Sequence, residues 1–342
     1  MKLPRGLTVE QHAGIEEARA GMVARANRGG WRKWVLYGLQ AALFHPFLLL
    51  FKLLPVDAAS TFGGWVGRSI LAPLLYFNRG KMRRTMRVPF PAMTDRECDR
   101  LVSRMSDNLI RTMSELAHLR EFAGNDNART RIIDTAGVEG LRASGRPILL
   151  LGCHIGNFEL SEVAARTVGV DGIVAVQHPH NPFLVRWFAR SRFAAGFGEQ
   201  IGTGAGVYRA LRRGLTQGRN ALMLCDQRVG NGLKAPFFGL DTMTNVIPAR
   251  LARTLPMAVV PFSVRRRLGA TFEVTFHPEL VFERTGDAED DERRFLARIN
   301  GFFETQMLQA PEQWLWLHPR WDDVLLKRVP QREGAPSATK VP

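Results

Sequence analysis

Beyond residue 130, short aliphatic runs alternate with amphipathic stretches, and this alternation constrains the fold more than any other feature of the sequence. Aliphatic runs of about four to eight residues are typical of buried strands, and apolar residues three or four apart are typical of helices. The predicted strands are 146–153, 172–177, 220–227, 256–266 and 270–280. The predicted helices between and after them are 158–168, 181–195, 207–218, 245–255 and 290–310. We therefore predict an α/β fold with a mixed, mostly parallel sheet flanked by helices, in which residues 270–280 form an edge strand.

The segment before this alternation contains a long apolar stretch. Residues 34–55 read WVLYGLQAALFHPFLLLFKLLP, which is long enough to cross a bilayer. A second apolar stretch follows at 65–77, and basic residues flank both stretches, so positive charge gives no clear orientation. A spanning helix, a helix in the membrane interface and a buried core helix are the alternatives. Trp65, Tyr76 and the arginines favour membrane contact.

These patterns divide the chain into four parts. Residues 1–33 are predicted as a polar N-terminal helix, and residues 34–90 as an apolar and basic membrane-anchoring region. Residues 94–329 are predicted as the α/β domain. Residues 330–342 are rich in Pro, Ser and Gly and are predicted as a flexible tail.

The composition excludes several classes of site. The chain has 342 residues and a net charge of +15, which favours a polyanionic partner. Cys98, Cys153 and Cys225 lie far apart and form no CxxC pair, and the histidines have no metal-ligand spacing. We therefore predict neither a disulfide framework nor a metal site. Aromatic residues do not interleave with the basic runs as they do on nucleic-acid surfaces, so nucleic acid is not a predicted partner.

A histidine and an acid follow the first of the predicted strands, in the segment LLLGCHIGNFEL at 149–160. In open α/β sheets, ligands bind at the carboxyl ends of strands. His154 and Glu159 are five residues apart, a spacing that does not place two side chains on one helix face. We therefore expect His154 in the loop and Glu159 in the first turn of the next helix, hydrogen-bonded to one ring nitrogen, with the other nitrogen free as a base. Gly156 and Asn157 suit a close approach to substrate. The alternative is a buried structural histidine.

Four more segments follow HIGNFE in a fixed order. They are HNP at 180–182, DQRVGNGLKAPFFG at 226–239, VVPFSVRR at 259–266 and APEQWLWLHPRW at 310–321. In this order the segments resemble the bacterial lipid A biosynthesis acyltransferase family, the late lauroyl and myristoyl transferases. HIGNFE itself resembles the HX4D/E motif of the glycerolipid acyltransferase superfamily. The resemblance extends from the N-terminal apolar helix to about Trp321.

The resemblance implies a membrane-attached enzyme on the cytoplasmic face of the bacterial inner membrane. Such an enzyme moves a fatty acyl chain from acyl carrier protein, or from coenzyme A, to a hydroxyl of an anionic lipid A precursor, without a cofactor. His154 is then the general base and Glu159 orients it, while Asp226 and Arg228 form part of the pocket. Asp226 is expected to hold either an arginine or His154 itself. Other acceptors, namely a lysophospholipid, a phosphatidylinositol mannoside or an aminolipid, remain alternatives, and so does acyl hydrolysis.

One position departs from the pattern of the family. Relatives are expected to carry YRP before the NP dipeptide, whereas this chain reads VQHPHNP and places His178 at the position of the arginine. If that arginine binds a phosphate or the oxyanion, His178 replaces it only when protonated, or else Arg186 or Arg190 does so. The departure affects the predicted identity of the acceptor lipid more than the predicted type of reaction.

Overall fold

The structure is a computed structural model that describes residues 9–123, 128–204 and 206–328. The helices are α1 (Val9–Asn27), α2 (Gly30–Leu53), α3 (Val56–Val66), α4 (Ala72–Leu75), α5 (Arg79–Arg87), α6 (Asp95–Glu115), α7 (Val138–Ala143), α8 (Ser161–Thr167), α9 (Pro182–Ala194), α10 (Val207–Thr216), α11 (Ile247–Thr254), α12 (Ala288–Gln309) and α13 (Asp323–Arg328). The strands are β1 (Thr130–Asp134), β2 (Ile148–Gly152), β3 (Gly172–Val176), β4 (Glu199–Gly202), β5 (Asn220–Leu224), β6 (Leu233–Phe237), β7 (Leu240–Thr244), β8 (Ala258–Arg266) and β9 (Phe272–Phe276). The predicted tail at 330–342 lies outside the described residues.

The strands form one large sheet and one hairpin. Seven strands lie in the order β1-β9-β8-β2-β5-β3-β4, and β6 pairs with β7 in a separate antiparallel hairpin. Neighbouring strands of the large sheet are parallel except β8 and β9. The prediction of a mixed, mostly parallel sheet is therefore confirmed.

Helices cover both faces of this sheet, and β2 lies at its centre. Leu149 and Leu151 of β2 belong to the apolar cluster on one face, and Ile148 and Leu150 belong to the cluster on the other. This division follows from the alternation of side chains along a strand. Because both faces are buried under helices, the carboxyl ends of the strands are the open edge at which a site can form.

The prediction that residues 270–280 form an edge strand is wrong. Strand β9 lies between β1 and β8, and β1 was not predicted from the sequence. Phe272, Val274 and Phe276 are buried, whereas Glu273 and Thr275 are half-buried. The alternation therefore reports that the two faces of the strand are buried to different extents, and it carries no information about the strand's edges.

Helix α2 presents most of its apolar surface to the outside. It is long and apolar enough to cross a membrane, with a mean hydropathy of 1.6, but only 22% of its apolar window is buried. Leu39, Leu43 and Leu53 are 65%, 65% and 73% exposed, and Phe77, which follows α4, is 95% exposed. This exposure argues against the core-helix alternative and leaves an apolar surface suited to lipid.

Candidate active site

His154 lies beside Asp226 because their strands are neighbours. Strands β2 and β5 pair in parallel, with Gly152 opposite Leu224, and each of the two side chains follows its strand end by two residues. The Nδ1 atom of His154 lies 2.7 Å from Oδ1 of Asp226. Asp226 is buried, and His154 is partly open to a cavity. The fold thus brings together two residues that are 72 positions apart.

The charges of this pair fix where the ring carries its proton. Burial favours a raised pKa for Asp226, but the charge and hydrogen bond of His154 outweigh burial and lower it. Burial favours a lowered pKa for His154, but the charge and hydrogen bond of Asp226 outweigh burial and raise it, with a smaller contribution from Glu159. Asp226 is therefore ionised and accepts from the N–H at Nδ1. The neutral ring then has its lone pair at Nε2, as a general base requires.

Glu159 does not hydrogen-bond His154, and this part of the sequence prediction is wrong. Its two carboxylate oxygens accept from Nε and Nη2 of Arg192, both at 2.8 Å. The reason is local: Glu159 lies in a 3-10 turn, Phe158–Leu160, and its side chain reaches α9. Asp226 orients the ring instead, which was one of the two roles expected for it. Glu159 acts on His154 only through its charge.

Because Glu159 and Arg192 are both buried, we expect Glu159→Gln to destabilise the fold. The variant leaves the Arg192 guanidinium buried without a counter-charge, which should cost about 3–5 kcal/mol in the free energy of unfolding. Chemical denaturation measures this change. The matched control is Asp171→Asn, which breaks an exposed pair with Arg166 and should cost less than about 1 kcal/mol. Equal losses in the two variants would show that the Glu159–Arg192 pair does not stabilise the fold.

Gly156 and Asn157 support the loop and do not line the cavity, contrary to prediction. Gly156 has a φ of +60°, and an added Cβ would lie 2.1 Å from the carbonyl oxygen of Val264. Asn157 is fully buried, and its side-chain oxygen accepts from the N–H of Glu159 at 3.1 Å. The loop needs glycine because it packs directly on the backbone of β8.

A row of polar residues on α6 holds this loop, and it was not predicted from the sequence. Asn108 and Thr112 donate to the carbonyl oxygen of Gly156 at 2.9 and 3.1 Å. Glu115 is fully buried and accepts from the Asn157 amide at 2.8 Å. The spacings of four and three residues place all three side chains on one helix face. The three residues could have been predicted from this pattern, in which polar side chains occur at helical spacing on an otherwise apolar helix face.

His154 opens onto a cavity of about 760 Å³ between the sheet and α9. Apolar side chains, among them Val176, Leu222 and Phe188, line much of it, and His178, Arg192 and Arg228 contribute polar groups. Among the residues that the structure describes, no group of three or more His, Cys, Asp and Glu is arranged to hold a metal ion. The cavity therefore combines a base with an apolar lining suited to a hydrocarbon chain.

His178 is neutral in this cavity. Burial, and then the charge of Arg192, lowers the pKa of His178 to about 4. Arg186 pairs with Glu16 at 2.9 Å, and Arg190 is exposed and does not line the cavity. The arginines that line the cavity with His178 are Arg192 and Arg228, so neither of the two arginines considered from the sequence takes this place.

Comparisons with known proteins identify one family and relatives of the same description. The model of the family described as bacterial lipid A biosynthesis acyltransferase matches residues 33–323. The chain is 22% identical over 302 residues to the lipid A biosynthesis palmitoleoyltransferase of Escherichia coli (strain K12), covering 85% of this chain and 91% of that protein. It is 26% identical over 317 residues to the lipid A biosynthesis lauroyltransferase of the same organism, covering 90% and 94%.

Proposed function

The chain belongs to the bacterial lipid A biosynthesis acyltransferase family and is an acyltransferase, and from this premise we propose that it moves a fatty acyl chain from an acyl carrier protein thioester to a hydroxyl of a lipid A precursor. The observation that carries the proposal is the His154–Asp226 pair, 2.7 Å apart, at the wall of an apolar-lined cavity. A base beside a hydrocarbon pocket suits acyl transfer to an alcohol.

The proposed reaction proceeds by direct attack. Nε2 of His154 accepts the proton of the acceptor hydroxyl as its oxygen forms a bond to the thioester carbonyl carbon. The resulting tetrahedral intermediate collapses as the carbon–sulfur bond breaks, and the leaving thiolate takes the proton back from Nε2. The products are an ester and a free thiol, and Asp226 holds the ring in place throughout.

The burial and bonding of two nucleophilic side chains near His154 favour direct attack over a covalent acyl-enzyme. The Cys153 thiol is buried, and burial raises its pKa well above the ordinary value, so it is protonated at neutral pH. The Ser161 hydroxyl is buried and donates to the carbonyl oxygen of Phe158 at 2.7 Å. Neither group is hydrogen-bonded to His154, which a nucleophile activated by that base requires.

We propose that Arg192 stabilises the oxyanion of the intermediate. Arg192 lines the cavity, and its buried Nη1 has no hydrogen-bond partner within the described chain. The N–H of Glu159 is already bonded to the Asn157 side chain, and the N–H of Leu160 to the Asn157 carbonyl. Arg192 therefore offers a positively charged donor without a hydrogen-bond partner, which would stabilise a developing negative charge.

The attachment of α2 supports a lipid acceptor at the membrane surface. The Asn181 amide donates to the carbonyl oxygen of Tyr37 at 2.9 Å, which ties α2 to the start of α9. Because Pro179 and His180, which directly precede Asn181, line the cavity, a membrane bound to the apolar surface of α2 would lie close to the cavity. We propose the cytoplasmic face of the inner membrane as its location, where acyl carrier protein is available.

Exposed arginines on α10 suit an acidic acyl carrier protein. Arg209, Arg212 and Arg213 are exposed and form no ion pair with any residue in the described ranges. By contrast, Arg83 and Arg266 are paired with acids of α6. The α10 arginines are therefore unpaired positive charges suited to attract an acidic donor protein.

Incubation of the purified full chain with acyl carrier protein thioesters of several chain lengths tests the proposal. Acceptors would be a lipid A precursor and a lysophospholipid, and mass spectrometry would detect the acylated lipids. We expect transfer to the lipid A precursor and little release of free fatty acid without an acceptor.

Other outcomes point to the alternatives. Transfer to the lysophospholipid alone would contradict the proposed acceptor and leave the reaction type in place. Fatty acid release without an acceptor, at the rate seen with one, would show a hydrolase.

A further inference from the structure

A second cavity, of about 1650 Å³, adjoins the catalytic cavity. The two share His178, Phe197 and Thr203 in their walls, so a molecule that reaches His154 can extend into both. The second cavity runs along β4, the edge strand of the sheet. In the proposed function the reacting groups occupy the catalytic cavity, and the second cavity has no assigned occupant.

Gln200 presents an unused amide to this second cavity. Gln200 pairs with Val174 of β3, so its side chain lies on the sheet face that α8 and α9 cover. Its Oε1 and Nε2 are both buried, and neither has a hydrogen-bond partner in the part of the chain that the structure describes. A buried amide without partners is costly, and such groups need an explanation, of which a ligand is one.

His178 adds a second unused polar atom to the same wall. Its Nδ1 is buried and has no hydrogen-bond partner among the described residues. His178 lies against β4, since a Cβ added at Gly202 would be 3.9 Å from its Cδ2. Because its pKa is lowered to about 4 by burial and by Arg192, the ring is neutral and offers one donor and one acceptor.

The charged groups around this wall are already neutralised. In the second cavity Arg166 pairs with Asp171 at 2.8 Å, and Arg219 pairs with Glu199 at 2.6 Å. Arg192, which lines the catalytic cavity only, is paired with Glu159. The remaining acid of the wall, Glu17, is exposed and disfavours an anion. Among the described residues of the second cavity, a phosphate would therefore find no unpaired cation, whereas a hydroxyl or an amide would find both donors and acceptors.

We propose that His178 and Gln200 form a subsite that binds an uncharged hydroxyl or amide group of the acceptor's head group. This inference rests on the proposed function, and it specifies which kind of group on the acceptor the enzyme recognises. A site built to hydrogen-bond such a group discriminates strongly against an analogue that lacks it, because its buried polar atoms are then left unpaired.

The variant Gln200→Leu tests the subsite. We expect its KM for the lipid A precursor to rise by about 10-fold, with kcat and the KM for the acyl donor within about 2-fold of wild type. Its melting temperature should stay equal or rise by about 2 °C, because a buried unpaired amide is removed. The matched control is Gln217→Leu, which replaces an exposed glutamine outside both cavities and should change nothing. His178→Leu is the second variant and should also raise the KM for the lipid A precursor. It tests the subsite if Gln200→Leu does not fold.

A phosphatase-treated precursor tests whether the recognised group is uncharged. Used as a competitive inhibitor, it should also bind Gln200→Leu about 10-fold more weakly than wild type. Equal inhibition of the two enzymes, or no inhibition of wild type, would overturn the assignment to an uncharged group. A wild-type enzyme that does not acylate the precursor would contradict the proposed function. Normal acylation with unchanged KM in the folded variants would contradict the subsite alone.

Discussion

The variant His154→Ala is expected to transfer acyl chains about 10²–10⁴-fold more slowly than wild type, because it lacks the base that accepts the proton of the hydroxyl. The loss should be in kcat, with the KM for the acyl donor little changed, since the apolar lining of the cavity stays intact. Initial rates with a fixed acyl donor and a lipid A precursor measure both parameters.

Removal of the His154 side chain leaves the buried Asp226 carboxylate without its partner, so we expect the variant to fold with a lowered melting temperature. A far-ultraviolet circular dichroism spectrum equal to that of wild type would confirm that it is folded. Free imidazole can enter the space left by the ring, and we expect added imidazole to restore part of the rate in His154→Ala. Near-normal turnover of the variant without imidazole would end the proposal that His154 is the base.

The sequence located His154 and left Asp226 as one possible partner, but it assigned the hydrogen bond to Glu159. Its place at the end of a buried strand follows from local periodicity, which a single segment encodes. Its hydrogen bond to Asp226 depends instead on β5 being the neighbour of β2, and strand order is set by long-range packing. The assignment of Glu159 as that partner relied on closeness in sequence, and the side chain instead completes a buried ion pair with Arg192.

Two strands of the large sheet that were not predicted, β1 and β4, show a related limit of local sequence patterns. β1 and β4 are four or five residues long and mix polar with apolar residues, so no buried run marks them. Most residues of these two strands are half-buried or exposed, so the strands carry less apolar surface than the central ones. Gln200 lies on β4, so the polar subsite around it could not be predicted from the sequence either.

The variant Asp226→Asn is expected to lower kcat by about 10²–10⁴-fold, although it changes the size of the side chain very little. Ionised Asp226 can only accept from Nδ1, so it keeps the proton there and the lone pair at Nε2. An asparagine amide can donate to Nδ1, which moves the ring proton to Nε2 and removes the base. The matched control is Asp241→Asn, an exposed aspartate on β7 that does not line the cavity. Unchanged kcat in Asp226→Asn would show that the tautomer is not set by this carboxylate.

The pH dependence of the residual activity separates this role from a structural one. His154 must be neutral to act, so kcat/KM of wild type should fall as the pH falls through the pKa of His154, which Asp226 raises above its ordinary value of 6.5. In Asp226→Asn the raising charge is gone while burial still lowers the pKa, so the acidic limb should move to lower pH. A merely structural Asp226 would reduce the rate equally at all pH values and leave the limb in place. Because the base needs both the raised pKa and the correct tautomer, we expect Asp226→Asn to lose rate even at the high pH where His154 is fully neutral in both enzymes.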